Sequence, residues 1–231
     1  MIISIHQPNF FPWIGFFNKI SNSDKFVFLT QSQRSKNDKF LTKTRILDNS
    51  KNVRYLSIPL GNKQPMIIDL EMPSSSLWKK KFLNIIKESY RNTPFFDHVY
   101  PDIEYLINQE ERLFYKFSSN IVLHFLEKFN IKTQTFFDYS IGENFGVSNE
   151  RNISICKKLN ATKYFSGDGA RVYNDEVMFR DANLEIVYQN YNQPKYNQNS
   201  ETFKSGLSII DSLFNCGYLE TKKLINMKSY D

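Results

Sequence analysis

Three short segments carry residue types that could do chemistry. The first is His6-Gln7-Pro8-Asn9. An imidazole titrates near neutrality, so His6 is a candidate general base, a hydrogen-bond donor to phosphate, or an orienting group. The plainer alternative is a histidine that satisfies a backbone carbonyl and fixes the loop. The second segment is Tyr164-Phe165-Ser166-Gly167-Asp168-Gly169-Ala170-Arg171. Two glycines after a strand let main-chain N–H groups approach an anion. Ser166, Asp168 and Arg171 add a hydroxyl, a carboxylate and a guanidinium. A Gly-x-Gly alone is a weak signal, and a plain strand-to-helix turn would look the same. The third segment runs from Tyr191 to Gln198 and on to Ser208-Ile209-Ile210-Asp211. Tyr196 and Gln198 offer hydrogen bonds suited to a hydroxyl-rich ligand. Asp211 falls among Leu207, Ile210, Leu213 and Phe214, where a carboxylate is costly to bury unless paired. It is either a structural partner for a basic side chain or an active-site acid. The two cysteines read as packed: Cys156 lies one turn from Ile153 and Leu159, and Cys216 precedes a glycine. A thiol nucleophile needs a nearby base, and Cys216 is the better of two poor candidates. The three histidines are spread along the chain, with no Cys-x-x-Cys pair, so no metal-ligand cluster is visible.

These groups need elements to position them. Residues 2–6 form a β-branched run that stops at Gln7-Pro8, because proline cannot donate to a ladder. Pro12 suits a first helical position, and Ile14, Phe17 and Ile20 share one helical face. Residues 25–29 read as a second strand, so the opening is one βαβ unit if the two strands are parallel. Residues 30–44 form a long polar loop with Arg34, Lys36, Lys39 and Lys43. A hairpin follows, TRIL and VRYLSIPL about DNSKN, then a short strand near 66–72. From Ser74 the pattern is helical: Trp78, Phe82, Ile85 or Ile86, and Ser89 or Tyr90 track one face. A second long helix is expected over about 110–129. The α/β rhythm then returns, with strands at 133–137, 163–166 and 184–189. Helices are expected at 148–159, near 174–181 and at 207–216, with Gly217 as the stop and a short last helix after it.

The reading is therefore an α/β fold, a Rossmann-like and mostly parallel sheet flanked by helices. A β-hairpin excursion and an inserted helical lobe complete it. The whole chain, 1–231, is expected as one domain, with an α/β core of 1–73 and 131–231 and a helical lobe of 74–130. Only 8 glycines are present, which argues against an extended glycine-rich phosphate loop, and 21 phenylalanines predict a Phe-rich core. The net charge is +6. Scattered surface lysines account for such a total, while a local basic mouth for a phosphate-bearing substrate stays open. No known nucleic-acid motif appears, and specific nucleic-acid binding ranks last. The opening MIISIHQPNF has no basic n-region and no long apolar run, and two cysteines suit a reducing compartment, so a cytoplasmic location is expected. No apolar run approaches the length of a membrane span.

HQPNFFPWIGFFNKI with SDKFVFL, then YFSGDGARVY, YNQPKYNQ and LSIIDSLFNCG, resemble the signature blocks of the WbqC-like family. The match is in order along essentially the whole chain, including Trp78 and the helices after it. The resemblance carries over His6, Gln7, Pro8, Asn9, Trp13 and Gly15, together with Ser166, Gly167, Gly169, Tyr196, Gln198, Ser208 and Asp211. One departure stands out. The family often has an Asn-Arg pair where this chain reads Thr42-Lys43-Thr44-Arg45, so Arg45 or Lys43 would have to stand in for it. The family is associated with O-antigen and related surface-polysaccharide gene clusters, and glycyl transfer onto an amino sugar has been proposed for it. A fainter resemblance, in Pro12-Trp13-Ile14-Gly15, is to the Pro-x-x-Gly frame of nucleotidylyltransferases, and it supports a nucleotidylyltransferase-like sheet.

The resemblance implies an N-acyltransferase acting on a nucleotide-linked amino sugar. His6 and Asp211 would be its catalytic residues. Gln7, Asn9, Trp13, Arg45, Ser166, Gly167, Asp168, Gly169, Tyr196, Gln198 and Ser208 would bind substrate. The activated acyl donor is open: an acyl-adenylate, a coenzyme A thioester or an aminoacyl-tRNA would each fit. No cofactor is assigned. The alternative is a non-catalytic sugar-nucleotide-binding protein of the same pathway.

Overall fold

The computed structural model describes residues 1–34, 40–61, 65–143 and 145–227. Lys36 and Lys39 of the long basic loop lie outside them. β1 (Ile2–His6), α1 (Ile14–Ser21) and β2 (Lys25–Phe28) open the chain. β1 and β2 pair in parallel, Ile3 opposite Lys25 and His6 opposite Phe28, which completes the expected βαβ unit. β3 (Lys43–Leu47) and β4 (Val53–Ser57) form the antiparallel hairpin. The helices α2 (Leu77–Tyr90), α3 (Phe96–Asn108) and α4 (Phe114–Lys128) follow. Then come β5 (Gln134–Phe137), α5 (Asp138–Ile141), α6 (Ser148–Lys158), β6 (Lys163–Gly167), α7 (Glu176–Asp181), β7 (Glu185–Gln189) and α8 (Ile209–Ile225).

The main sheet runs β5-β2-β1-β6-β7, and every neighbouring pair is parallel. From β1 the chain steps outward through β2 to β5. It then returns to the other side of β1 and steps outward again through β6 and β7. The direction of progress reverses between β1 and β6. Such a doubly wound order leaves a crevice at the carboxyl ends of the two strands flanking the reversal.

Strand residues alternate between two apolar layers because successive side chains point to opposite faces. Ile3, Ile5 and Val27 face α6 and α7 and pack with Ile155, Cys156 and Phe179. Phe26 and Phe28 face α1, α4 and α8 and pack with Phe16, Phe17, Phe125 and Ile209. Sheets covered on both faces need such near-continuous apolar strands. The second layer runs without a break into α2 and α3 through Phe82, Ile86, Ile103 and Leu106. The helical stretch thus shares its core with the sheet. Phenylalanine dominates that core as expected: Phe10 and Phe11 meet edge-on at 5.0 Å, and Phe11 stacks on Phe82 at 5.8 Å.

Four expectations need correcting. Residues 66–72 are not a strand: a single 3-10 turn, Ile67–Asp69, separates isolated bridges at Met66 and Glu71. Ile67 and Leu70 are buried three residues apart, a turn spacing rather than an alternating one. The helix α3 was not foreseen, and it carries Pro101 within it. The helix expected from about residue 110 begins at Phe114, because Met72 N–H bonds to Arg112 and Phe114 N–H to Leu70, tying this stretch to the turn. The first helix begins at Ile14 rather than Pro12, since Trp13 is extended and bridges to Ser208.

Candidate functional site

The loop after β1 is held in an uncommon shape. Phe11 has φ 43°, a left-handed conformation costly for an aromatic residue. What holds it is visible. The Phe11 carbonyl accepts hydroxyls from Thr44 at 2.8 Å and Ser208 at 2.9 Å, and its ring is 1% exposed. Main-chain bonds join the same segments: Ser208 N–H to Arg45, Ile209 N–H to Pro12, and Phe10 N–H to Leu41. Ser208 caps α8 by accepting from Ile210 N–H. The start of the last helix, the first hairpin strand and the post-β1 loop are therefore one unit, although residues 11 and 208 are 197 positions apart.

This unit walls a cavity of about 870 Å³ outside the carboxyl ends of β1 and β6. It lies where the sheet order reverses. His6, Asn9 and Trp13 line it from the β1 side, Gly167, Asp168 and Gly169 from the β6 side, and Lys43, Arg45 and Ser208 from the hairpin and α8. Tyr191, Gln193, Lys195 and Phe203 close it. A volume of this size holds a drug-sized or nucleotide-sized ligand.

His6 sits edge-on to Phe16 at 5.0 Å. Its Nδ1–H donates to the Gln7 carbonyl at 3.0 Å, which leaves Nε2 as a lone-pair acceptor. Burial, with Lys19 nearby, lowers its pKa to about 4, so the ring is neutral at neutral pH. Lys19 lines the same cavity, is 4% exposed, and donates to the Ile5 carbonyl at 3.0 Å. Burial lowers its pKa to about 7. Sequence reasoning passed over it. The available signal was a lysine among apolar α1 residues that recur every third or fourth position.

Arg45 is partly buried, with its Nε enclosed and without a hydrogen-bond partner. Gly206, at φ 68°, lies so close to the guanidinium that an added Cβ would stand 3.2 Å from Nη1. Gln193 accepts from Gly206 N–H at 2.6 Å, and its Nε2 is buried without a partner. Among the described residues the charged lining is mainly cationic: Lys19, Lys43, Arg45 and Lys195, against Asp168, whose carboxylate is bound by Arg171 at 2.8 Å. Trp13 can fold back over the first turn of α1 because residue 15 is glycine, and a Cβ there would strike its ring at 2.2 Å. Trp13 also meets Tyr191 edge-on at 5.7 Å.

Other sequence candidates lie just behind the wall. Gln7 donates to Ser32 Oγ at 3.0 Å. Ser166 is fully buried and accepts from Asn174. Gln198 donates to and accepts from the Lys204 main chain at 2.8 Å each, closing the loop that carries Phe203. Asp211 is fully buried and does not line the cavity; Tyr90 and Tyr196 donate to its two oxygens at 2.9 and 2.7 Å. Its partners are therefore two hydroxyls, where sequence offered a basic side chain or an active-site role. Burial raises its pKa to about 6, and the tyrosines counter part of that. Gly167 and Gly169 have open space where a Cβ would be, so they keep the cleft wide rather than meeting a backbone constraint. The turn after β6 is a short 3-10 segment, Asp168–Ala170, and α7 begins only at Glu176. Burial raises the thiol pKa of Cys156 to about 12 and of Cys216 to about 11, so neither is a ready thiolate. Among the described residues, no three His, Cys, Asp or Glu side chains gather as metal ligands, and no helix is long and apolar enough to cross a membrane.

The strand order and the crevice define an α/β protein of the doubly wound, Rossmann-like class. More particularly, the chain belongs to the WbqC-like protein family, whose model matches residues 7–223. It is also similar to an uncharacterized protein, Rv1507c, of Mycobacterium tuberculosis: 23% identical over 222 residues, covering 93% of this chain and 94% of that protein. No solved structure matches the chain.

Proposed function

We propose that the cleft binds a nucleotide-linked amino sugar and catalyses transfer of an activated acyl group, glycyl being the form suggested for the family, onto its amine in bacterial surface-glycan biosynthesis. The observation that carries this reading is a neutral histidine, His6, on the wall of a cationic, nucleotide-sized cavity at the switch point of the sheet. An amine must lose a proton as it attacks a carbonyl, and His6 Nε2 is an acceptor free to take it. Lys43, Arg45 and Lys195 suit a diphosphate. Trp13 and Tyr191 give apolar faces for a sugar or base. Acyl-adenylate, coenzyme A thioester and aminoacyl-tRNA are the donors to try, and the site of action is taken to be the cytoplasm.

The test is incubation with nucleotide amino sugars and each donor, read by mass spectrometry. The acylated sugar should appear with the wild type, and His6→Ala should cut its rate by roughly 10²–10⁴-fold with the fold unchanged. Full turnover in that variant removes His6 from the mechanism. A specific observation keeps a second reading in play: the Asp211 carboxylate is bound by tyrosines behind the wall, so His6 has a main-chain carbonyl as its orienting partner. Saturable sugar-nucleotide binding with no product from any donor would favour that non-catalytic carrier.

A further inference from the structure

Lys19 is a charged cleft residue that the proposed chemistry leaves unused. It lies on α1, is 4% exposed, and lines the cavity beside His6. A lysine this deep ordinarily has a carboxylate partner. Here the hydrogen bond goes to the Ile5 carbonyl at the end of β1. That bond uses one of an ammonium's three donors. Among the described residues, the charged groups around the same cavity do not supply a counter-charge. Lys43, Arg45 and Lys195 are cations, Asp168 is bound to Arg171, and Lys19 disfavours charge on His6. The neighbouring polar groups of α1 and β7 are engaged among themselves, with Gln189 Nε2 donating to Gly15 O and Asn18 Oδ1.

We propose that Lys19 is an anion-binding residue of the cleft, whose amino group takes an oxyanion, phosphoryl or carboxylate, at the reacting end of the ligand next to His6. The inference rests on the cleft being the ligand site and adds which chemical group lies deepest in it. It also makes binding proton-linked. Burial holds the empty-site amine near 7, so an arriving anion raises its affinity for a proton and draws one from solution.

The experiment uses the full chain with inorganic phosphate, pyrophosphate and acetate as probes. Calorimetry at about pH 8, in buffers of different ionisation enthalpy, should show up to about one proton taken up per anion bound. Lys19→Met should abolish the uptake and weaken binding by roughly tenfold or more. In parallel, wild-type protein with 15N-labelled lysine should show one side chain titrating near neutrality, its midpoint moving up on addition of the anion. That measurement stands if the variant does not fold. A response to phosphate or pyrophosphate alone assigns a phosphoryl group, to acetate alone a carboxylate, and to all three their shared oxyanion chemistry. A lysine spectrum in which no midpoint responds to any probe overturns the proposal, as does equal anion binding by Lys19→Met. Undiminished binding of a nucleotide amino sugar by Lys19→Met would remove Lys19 while leaving the transferase reading intact. Anion-linked titration of Lys19 without acyl transfer would do the reverse.

Discussion

At the scale of the residue, His6 and Asp211 were paired as catalytic groups by sequence, and their surroundings separate them. The His6 pKa is lowered from 6.5 to about 4. Its neutral form is therefore retained in the fold well into mild acid. With the ionisations of the substrate amine and of Lys19 factored out, the His6 contribution to kcat/KM should hold down through pH 6.5 and be lost as pH falls through about 4. A limb centred near 6.5 in a pH–rate profile would mean a solvated imidazole. The linked stability has a definite sign. The unfolded chain binds the proton first, so the folded state loses stability as pH falls from 6.5 to about 4. His6→Gln should remove that share of the acid sensitivity in urea titrations.

Asp211 has the opposite sign. Its folded pKa is raised from 3.8 to about 6, so stability present at low pH is lost as pH rises through about 6. The wild type should lose ground against Asp211→Asn over that interval. Asp211→Ala strands two buried tyrosine hydroxyls and should cost about 2–6 kcal/mol, at 1–3 for each group, by urea denaturation. Because the carboxylate faces Tyr90 and Tyr196, turnover by folded Asp211→Asn should stay within roughly tenfold of wild type. A fall of about 10²-fold or more would make Asp211 a catalytic group after all.

At the scale of the element, α8 is two helices joined across a kink at Gly217, whose φ is 72°. Sequence placed the break at this glycine. The structure adds a second reason for it. A Cβ at residue 217 would stand 2.7 Å from the Phe95 ring, the residue that leads into α3. Gly217→Ala therefore combines a left-handed backbone cost with a steric overlap, and should destabilise the protein by about 2–4 kcal/mol in chemical denaturation. A loss below about 0.5 kcal/mol would show that the kink can straighten and Phe95 can move.

At the scale of the whole molecule, the two ends of the chain complete one another. Asn18 of α1 donates to the Ile225 and Met227 carbonyls, and Ser208 fixes Phe11. Ile209, Ile210, Leu213, Phe214 and Ile225 of α8 are fully buried in the layer that covers Phe26 and Phe28. Burying each such side chain contributes about 1.5–3 kcal/mol, which together rivals the net stability of a domain. Truncation after residue 206 should thus abolish the cooperative thermal transition rather than merely empty the cleft. A truncated chain that still melts cooperatively would show that α8 is an accessory.

Much of this protein was legible in one dimension, and the reason is locality. Apolar runs at residues 2–6, 25–29, 163–166 and 184–189 announce strands. The fourfold spacing in Trp78–Tyr90 announces a helix, and DNSKN a hairpin turn, because each signal is set by neighbours a few positions apart. The candidate site was legible at its β1 and β6 edges, since a polar cluster just after a buried strand must lie at the strand's end. Only the tertiary structure decided which way each side chain faces. Gln7, Ser166, Gln198 and Asp211 are polar residues in the expected segments, yet they bond into the scaffold. Lys19 stands out only as a lysine among apolar α1 residues, and the fold is what brings it to the cavity. Whether a polar group meets ligand or protein depends on partners up to 209 positions away, and no local pattern encodes a contact of that range.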